Sequence, residues 1–219
     1  MSVYEAPAGL KVRGTVVVVP GRGDSELAYQ RFGRRVAGDA YRVIVLNDLD
    51  DFVPSDDLVR PLVLVGADLG AVRVAVHGDR LRPDAVVLAG LPGGGSLDAD
   101  ELDGRTHCPT HRGVLGDEPT GAFATPVDPS LLAAAYAGGS GVPHLLLIGD
   151  LDPLADHEAL AGLAETLPAA RLAVVRGAHH DVLNDLQHRS VAAEIVSFLE
   201  AVKEGVPVRP LVSVASSGW

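Results

Sequence analysis

The sequence predicts an α/β protein with a doubly wound, mostly parallel six-stranded sheet. Short apolar runs rich in Val, Leu and Ile recur along the 219 residues and alternate with segments of helical periodicity. Strands buried on both faces have this continuous apolar character, and their alternation with helices is typical of a parallel sheet. Hydrophobic residues make up 47% of the chain and charged residues 21%, so a full core is available and a disordered chain is excluded.

The strands and helices follow from the positions of these runs. Strands are predicted at 16–19, 41–46, 62–65, 85–89, 145–148 and 172–175, and helices at 26–36, 71–77, 131–137, 154–167 and 189–203. The last helix is the strongest prediction, because its apolar residues form one stripe along the helix. One domain over 1–204 is expected, with an insertion at about 90–142 that acts as a short lid and a tail at 205–219.

Composition also limits the partners of the protein. The formal net charge of -11 argues against nucleic acid and anionic membranes. Cys108 is the one cysteine, so an intrachain disulfide is excluded. The first residues contain no apolar run typical of a signal peptide, which makes the cytoplasm the expected location. A small-molecule substrate is therefore the expected partner, and the oligomeric state stays open.

Ligand sites of doubly wound sheets lie beyond the carboxyl ends of the strands, so the residues after each strand are the candidates. After the third predicted strand the sequence reads Gly66-Ala67-Asp68-Leu69-Gly70. A carboxylate at the apex of such a strand–turn–helix attacks carbon directly or acts as a base. The alternative is that Asp68 only caps the helix that follows, because Asp is a favoured N-cap residue.

Two further strand ends supply partners for Asp68. Asp152 follows the fifth predicted strand and His180 follows the sixth. A histidine transfers protons near neutral pH, and a carboxylate fixes its tautomer and stabilises the imidazolium. The order of nucleophile, acid and base along the chain is that of a Ser-His-Asp type triad on an α/β sheet. Each partner also has an alternative role when it is considered alone. Asp152 could be the N-cap of a helix that begins at Pro153, and His180 could be an ordinary histidine of a surface loop.

The sequence resembles a small member of the α/β-hydrolase superfamily, on its esterase and lysophospholipase-like side. The stretches that carry the resemblance are VVVVPGRGDS, VLVGADLGA, DAVVLAGLP, LLLIGDLDPLA and VVRGAHHDVLNDLQHRSVAAEIVSFLE. By this resemblance His180 rather than His179 is the base, and Asp152 rather than Asp150 is the acid. The resemblance further implies an oxyanion hole formed by the backbone N–H groups of Leu69 and Arg22, beside Gly21.

The sequence departs from this family at three places. Asp68 stands where an esterase has Ser, and Pro20-Gly21-Arg22-Gly23 stands where the family often has His-Gly. The residues before Gly14 leave little room for the strands that usually precede the first buried strand.

An Asp nucleophile resembles that of epoxide hydrolases and haloalkane dehalogenases, which form an alkyl-enzyme ester that water then hydrolyses. Their partner residues are not evident, because Tyr136 is the one tyrosine in the insertion and Trp219, the one tryptophan, lies in the tail. The sequence thus predicts a hydrolase of a small organic substrate. Two alternatives stay open: a lyase, isomerase or cyclase that uses Asp68 and His180 as an acid/base pair, and a catalytically silent binding protein.

A dinucleotide site is the first of two other interpretations. Gly21-Arg22-Gly23 after a strand, with Asp48 at the end of the next strand, partly matches a dinucleotide fingerprint. However, Glu26 occupies the third glycine position, where its charge repels a pyrophosphate. No cofactor is therefore predicted.

A group of residues in the insertion permits a metal site. His107, Cys108 and His111 lie close together in the sequence, but zinc needs a fourth ligand or a water. A lid turn with Cys108 packed inside is favoured, and no metal is predicted. Arg105 and Arg112 flank the group, and they face either an acidic substrate group or, by slight preference, solvent.

Overall fold

The computed structural model describes residues 1–94, 101–116, 125–206, 209–213 and 215. Seven strands form one sheet in the order β1-β3-β2-β4-β5-β6-β7. Their bounds are β1 Ser2–Tyr4, β2 Thr15–Val19, β3 Arg42–Val45, β4 Leu62–Ala67, β5 Ala85–Ala89, β6 His144–Gly149 and β7 Ala170–Val175. Neighbouring strands from β2 to β7 are parallel, while β1 pairs antiparallel with β3. The predicted doubly wound, mostly parallel sheet is therefore confirmed.

The predicted number of six strands is one too few. Strand β1 lies at the edge of the sheet and pairs Ser2 with Val45 and Tyr4 with Val43. It spans three residues with an alternating pattern of exposure. A run of this length gives no recognisable period of two, which is why the sequence pattern missed it.

Seven α-helices occur among the described residues. Their bounds are α1 Gln30–Gly38, α2 Leu69–His77, α3 Glu101–Arg105, α4 Pro109–Gly116, α5 Pro129–Tyr136, α6 His157–Thr166 and α7 His188–Lys203. The predicted helix at 26–36 is divided into a 3-10 turn, Glu26–Tyr29, and α1. Helices α3 and α4 were not predicted, since five and eight residues are too few to show a period of 3.6.

The core lies on both faces of the sheet. On one face Phe32 of α1 and Ile195 and Phe198 of α7 pack against the sheet. On the other face Val72 of α2 and Leu160 of α6 pack against alternate residues of the same strands. Side chains of a strand alternate between faces, so both helical layers are covered by one set of Val- and Leu-rich strands.

The predicted insertion at 90–142 divides between two places. The chain at Arg105 runs beside the loop after β7, because its carbonyl accepts a hydrogen bond from the Asp181 N–H at 2.9 Å. Helix α5 instead joins the helical layer that contains α2 and α6. Residues 95–100 and 117–124 of the predicted lid, and 207–208, 214 and 216–219 of the tail, lie outside the described residues. None of the described helices has the length and apolar character that crossing a membrane requires.

Candidate active site

The turn between β4 and α2 places Asp68 at a sharp apex. Its backbone has φ 46° and ψ -121°, a conformation in which a residue with a side chain is strained. A Cβ added at Gly70 would lie 2.1 Å from the Val19 carbonyl oxygen, and one at Gly66 would lie 2.4 Å from the Gly70 carbonyl oxygen. Both glycines are therefore required where the helix crosses close behind the strand, as the sequence pattern indicated.

Asp68 does not act as the cap of α2. Its side chain makes no capping hydrogen bond to the helix and is 1% exposed. The carboxylate points away from the helix, toward the ends of the neighbouring strands, where Arg22 and His180 contact it. The alternative of a simple helix cap is therefore wrong.

His180 lies between two carboxylates. Its Nε2 is 3.3 Å from Oδ1 of Asp68, and its Nδ1 is 2.9 Å from Oδ2 of Asp152. Asp152 is itself fixed, because its Oδ1 accepts hydrogen bonds from the Leu154 N–H at 2.9 Å and the Ala155 N–H at 3.2 Å. The structure thus brings the three predicted side chains together in one buried row, and Asp152 caps the following turn at the same time.

Arg22 holds the other side of the Asp68 carboxylate. Its backbone N–H donates to Oδ2 at 2.8 Å, Nε donates to Oδ2 at 2.9 Å, and Nη2 donates to Oδ1 at 2.7 Å. The sequence predicted a role only for the backbone N–H of Arg22, so the guanidinium contact was missed. In this structure Oδ2 of Asp68 lies in front of the same N–H that was expected to bind a substrate oxyanion.

Gly21 and Leu69 complete the predicted anion-binding corner. A Cβ added at Gly21 would lie 3.0 Å from the Asp68 Cβ, so a larger residue would push the Arg22 loop away from Asp68. Leu69 is the first residue of α2, where backbone N–H groups point out of the helix end. The anion-binding role of these two residues stays a prediction.

Known structures share this architecture. No protein-family model and no curated protein matches the sequence. A soluble variant of monoglyceride lipase from Saccharomyces cerevisiae aligns with a TM-score of 0.68 at 14% identity, over 91% of this chain and 90% of that chain. Monoacylglycerol lipase from Paleococcus ferrophilus aligns with a TM-score of 0.68 at 17% identity, over 92% and 100% of the two chains. The thioesterase domain from the curacin biosynthetic pathway aligns with a TM-score of 0.59 at 17% identity, over 89% and 93%.

The protein has the α/β-hydrolase fold. The antiparallel edge strand, the parallel strands and the strained turn after β4 are the parts of that fold in this chain. Proteins of this fold that carry the G-x-S-x-G pattern have their serine in a strand–turn–helix called the elbow, and the corresponding pattern of this chain, Gly66-Ala67-Asp68-Leu69-Gly70, has Asp68 in its centre.

Charge in this elbow site is shared among four side chains. Burial alone would lower the pKa of His180, but Asp152 and Asp68 outweigh it and raise that pKa to about 10. Burial alone would raise the pKa of Asp68, but hydrogen bonds from His180 and Arg22 hold it well below its ordinary value. At neutral pH these shifts favour a protonated His180 beside an ionised Asp68.

The side chain of His179 contacts Asp185. Its Nδ1 lies 3.0 Å from Oδ2 of Asp185, which also accepts the His179 backbone N–H at 2.8 Å. Oδ1 of the same carboxylate accepts the His107 N–H at 2.8 Å and the Thr106 hydroxyl at 3.0 Å. Asp185 thus fixes the loop that carries His180 and joins it to the chain after α3. His180, and not His179, is thus the histidine that contacts Asp68 and Asp152.

The other candidate groups have structural contacts. Across the described ranges, no group of three or more His, Cys, Asp and Glu side chains could hold a metal ion. Cys108 is buried, and its Sγ lies 3.3 Å from Nη1 of Arg31. Arg112 pairs with Asp103 at 2.6 Å, within the insertion. Asp48, considered for a dinucleotide site, pairs with Arg73 at 2.5 Å.

Arg105 is not a solvent-exposed residue. It is 3% exposed and pairs with Asp181 at 3.0 Å and with Asp24. The slight preference for a solvated Arg105 is therefore wrong. No sequence motif joins these three residues, because Arg105 is 81 positions from Asp24 and 76 from Asp181.

Proposed function

We propose that the protein is a hydrolase of a small organic substrate, with Asp68 as covalent nucleophile, His180 as proton carrier and Asp152 as its orienting acid. The observation that carries this proposal is the position of the Asp68 carboxylate. It projects from the strained elbow toward His180, which Asp152 backs at 2.9 Å. The lipases and thioesterase that share the fold support hydrolysis as the type of reaction.

In the first step a carboxylate oxygen of Asp68 attacks an electrophilic carbon of the substrate. A carbon–oxygen bond forms, and the bond to the leaving group breaks with its electron pair going to that group. His180 supplies the proton that the leaving group takes up, because its raised pKa keeps it protonated at neutral pH. The products of this step are an ester on Asp68, a neutral His180 and the protonated leaving group.

The second step depends on the charge that Asp68 has lost. The Asp68 carboxylate is one of the groups that raise the pKa of His180, so forming an ester removes that contribution. Neutral His180 then takes a proton from water, and the hydroxide adds to the ester carbon of Asp68. The alkoxide leaves with its electron pair and takes the acid proton of Asp68, which restores the carboxylate and the imidazolium. The net reaction replaces the leaving group by hydroxyl.

Label from heavy-oxygen water tests this route. The protein is incubated in labelled water with a panel of short-chain epoxides and haloalkanes, which are displaced at a saturated carbon, and a peptide containing Asp68 is analysed by mass. Repeated turnover through the ester places label in the Asp68 carboxylate. Turnover with label only in the product excludes the covalent route.

Trapping provides an independent test of the same intermediate. With a haloalkane, whose halide leaves without a proton, His180→Gln should accumulate the substrate adduct on the intact protein, because the hydrolytic step lacks its base. Asp68→Asn should show no adduct. The matched control is His179→Gln, because His179 lies in the same loop but contacts Asp185. An adduct in Asp68→Asn, or none in His180→Gln with a haloalkane that wild type turns over, contradicts the covalent role.

One observation favours a second candidate, a lyase, isomerase or cyclase. Both oxygens of Asp68 accept hydrogen bonds from Arg22, and His180 is an acid at neutral pH in the free protein. In such a site His180 can donate a proton to one position of a bound substrate, while Asp68 accepts a proton from another position of the same substrate. In that case turnover proceeds without adduct or label, and it is lost in both Asp68→Asn and His180→Gln. Turnover unchanged in Asp68→Ala rejects both candidates.

A further inference from the structure

We propose that Arg105, a residue of the insertion, is a positioning residue that holds two loops in place around Asp68. One is the loop after β2 that contains Arg22, named the Arg22 loop, and the other is the loop after β7 that contains His180, named the His180 loop. This inference rests on the proposed function, since it concerns how the triad of that function is assembled. It concerns a second set of buried polar side chains, which the chemistry above does not use. That set, here named the Arg105 cluster, comprises Arg105, Asp24, Asp181 and Tyr29.

The Arg105 cluster is centred on a guanidinium between two carboxylates. Nε of Arg105 donates to Oδ2 of Asp181 at 3.0 Å, and Nη2 donates to Oδ1 of Asp24. All three side chains are at most 5% exposed. A planar guanidinium presents donors in two directions at once, so one side chain binds both carboxylates, which a lysine ammonium does with poorer geometry.

One arm of the cluster reaches the Arg22 loop. Oδ2 of Asp24 accepts the hydroxyl of Tyr29 at 2.6 Å, and the same hydroxyl accepts the Gly21 N–H at 3.1 Å. Gly21 immediately precedes Arg22, whose N–H contacts Asp68 at 2.8 Å. The position of that N–H is therefore connected to Arg105 through Asp24 and Tyr29.

The other arm reaches the His180 loop. Asp181 follows His180 directly, and its backbone N–H donates to the Arg105 carbonyl at 2.9 Å. The His180 N–H donates to the Gly104 carbonyl at 3.3 Å. Arg105 thus binds this loop through both its backbone and its side chain. Both loops contact Asp68, and Arg105 joins them through Asp24 and Asp181.

The two buried carboxylates of the Arg105 cluster require a cation at the position of Arg105. Burial, together with repulsion from Asp181, raises the pKa of Asp24 to about 6, while Arg105 acts in the opposite direction. Removing Arg105 alone would leave two buried carboxylates without their shared cation, which is strongly destabilising. His111 also faces the cluster, with Nδ1 at 3.9 Å from Asp181, but burial lowers its pKa to about 4 and leaves it neutral.

A charge-neutral variant shows whether Arg105 positions the two loops or only neutralises Asp24 and Asp181. The triple variant Arg105→Met, Asp24→Asn, Asp181→Asn removes all three charges, and neutral replacements of buried ion networks are often compatible with stable folding. Arg112→Met is the matched control, because Arg112 contacts Asp103 and two carbonyls within the insertion and neither catalytic loop. Thermal unfolding checks that both variants fold.

The decisive measurement is the downfield proton resonance of His180 Nδ1–H in its hydrogen bond to Asp152, assigned by its loss in His180→Gln. We expect its exchange with water to become at least tenfold faster in the triple variant and to stay unchanged in Arg112→Met. With a substrate identified, kcat should fall by about a hundredfold, the loss typical of catalytic groups displaced by an ångström. An unchanged exchange rate in a folded triple variant overturns the proposal.

A substitute variant and an independent readout complete the experiment. If the triple variant does not fold, Arg105→Lys is measured instead, because it keeps the positive charge but loses the planar guanidinium. Faster exchange of the His180 Nδ1 proton in this variant supports the positioning role, and an unchanged exchange rate rejects it. The resonance is measured without substrate, so its outcome is independent of hydrolysis. Absence of label in Asp68 rejects the proposed function alone, and an unchanged resonance rejects the positioning role alone.

Discussion

The guanidinium of Arg22 lies against both carboxylate oxygens of Asp68, with Nη2 2.7 Å from Oδ1 and Nε 2.9 Å from Oδ2. The Asp68 carboxylate also accepts the Arg22 backbone N–H, the group that the sequence predicts to bind a substrate oxyanion. A substrate that reaches Asp68 must therefore share or displace hydrogen bonds from Arg22. The contact keeps Asp68 ionised, and it also restricts which ligands the site accepts.

The first prediction concerns the stability of this contact. Arg22→Met should lower the free energy of unfolding by about 3 kcal/mol at pH 7, because it leaves a buried carboxylate with one charged partner fewer. The measurement is urea unfolding. The double variant Arg22→Met, Asp68→Asn should recover most of the loss. If the double variant is no more stable than Arg22→Met, the loss comes from packing rather than from charge.

The second prediction concerns pH and His180. The folded-state pKa is raised from 6.5 to about 10, so the stabilising contribution of His180 is complete below pH 6.5 and disappears as pH rises toward 10. The melting temperature of wild type should therefore fall between pH 7 and pH 10 more steeply than that of His180→Gln. Parallel curves for the two proteins would contradict the raised pKa.

Much of this arrangement could be predicted from the sequence, because strand ends are visible in the apolar runs. Asp68, Asp152 and His180 each follow such a run, and the carboxyl ends of parallel strands meet at one edge of the sheet. The Arg22 side chain and Arg105 could not be predicted in their roles. Their partners are 46 and 76 or more positions away, and no local pattern encodes an ion pair over that distance.

The short elements could not be predicted either. Strand β1 has three residues and α3 has five, so neither shows a period that distinguishes it from a loop. Helix α3 forms where its last residue, Arg105, is anchored by Asp24 and Asp181. Tertiary contacts of this kind decide local structure where intrinsic propensity is weak.

The third prediction concerns the glycines of the elbow. Gly70→Ala should lower the free energy of unfolding by about 3 kcal/mol or more, because the new Cβ meets backbone atoms that cannot move aside. Gly162→Ala in α6 is the matched control. Its Cβ would meet nothing within 4 Å, so it should stabilise the protein by up to about 1 kcal/mol. Equal effects of the two variants in urea unfolding would show that the close approach at Gly70 is not rigid.

The last prediction separates the roles of two neighbouring aspartates. Asp152 contacts Nδ1 of His180, whereas Asp150 accepts the Gly177 N–H at 2.6 Å. In Asp152→Asn the imidazolium loses a carboxylate partner, and the tautomer that accepts a proton from water at Nε2 is no longer favoured. The ester on Asp68 should therefore form and persist, visible as added mass on the intact protein, while turnover falls by about 10⁴-fold. Asp150→Asn should turn over substrate without accumulating an adduct. If the adduct accumulates in Asp150→Asn but not in Asp152→Asn, Asp150 rather than Asp152 is the acid, and the proposed triad is rejected.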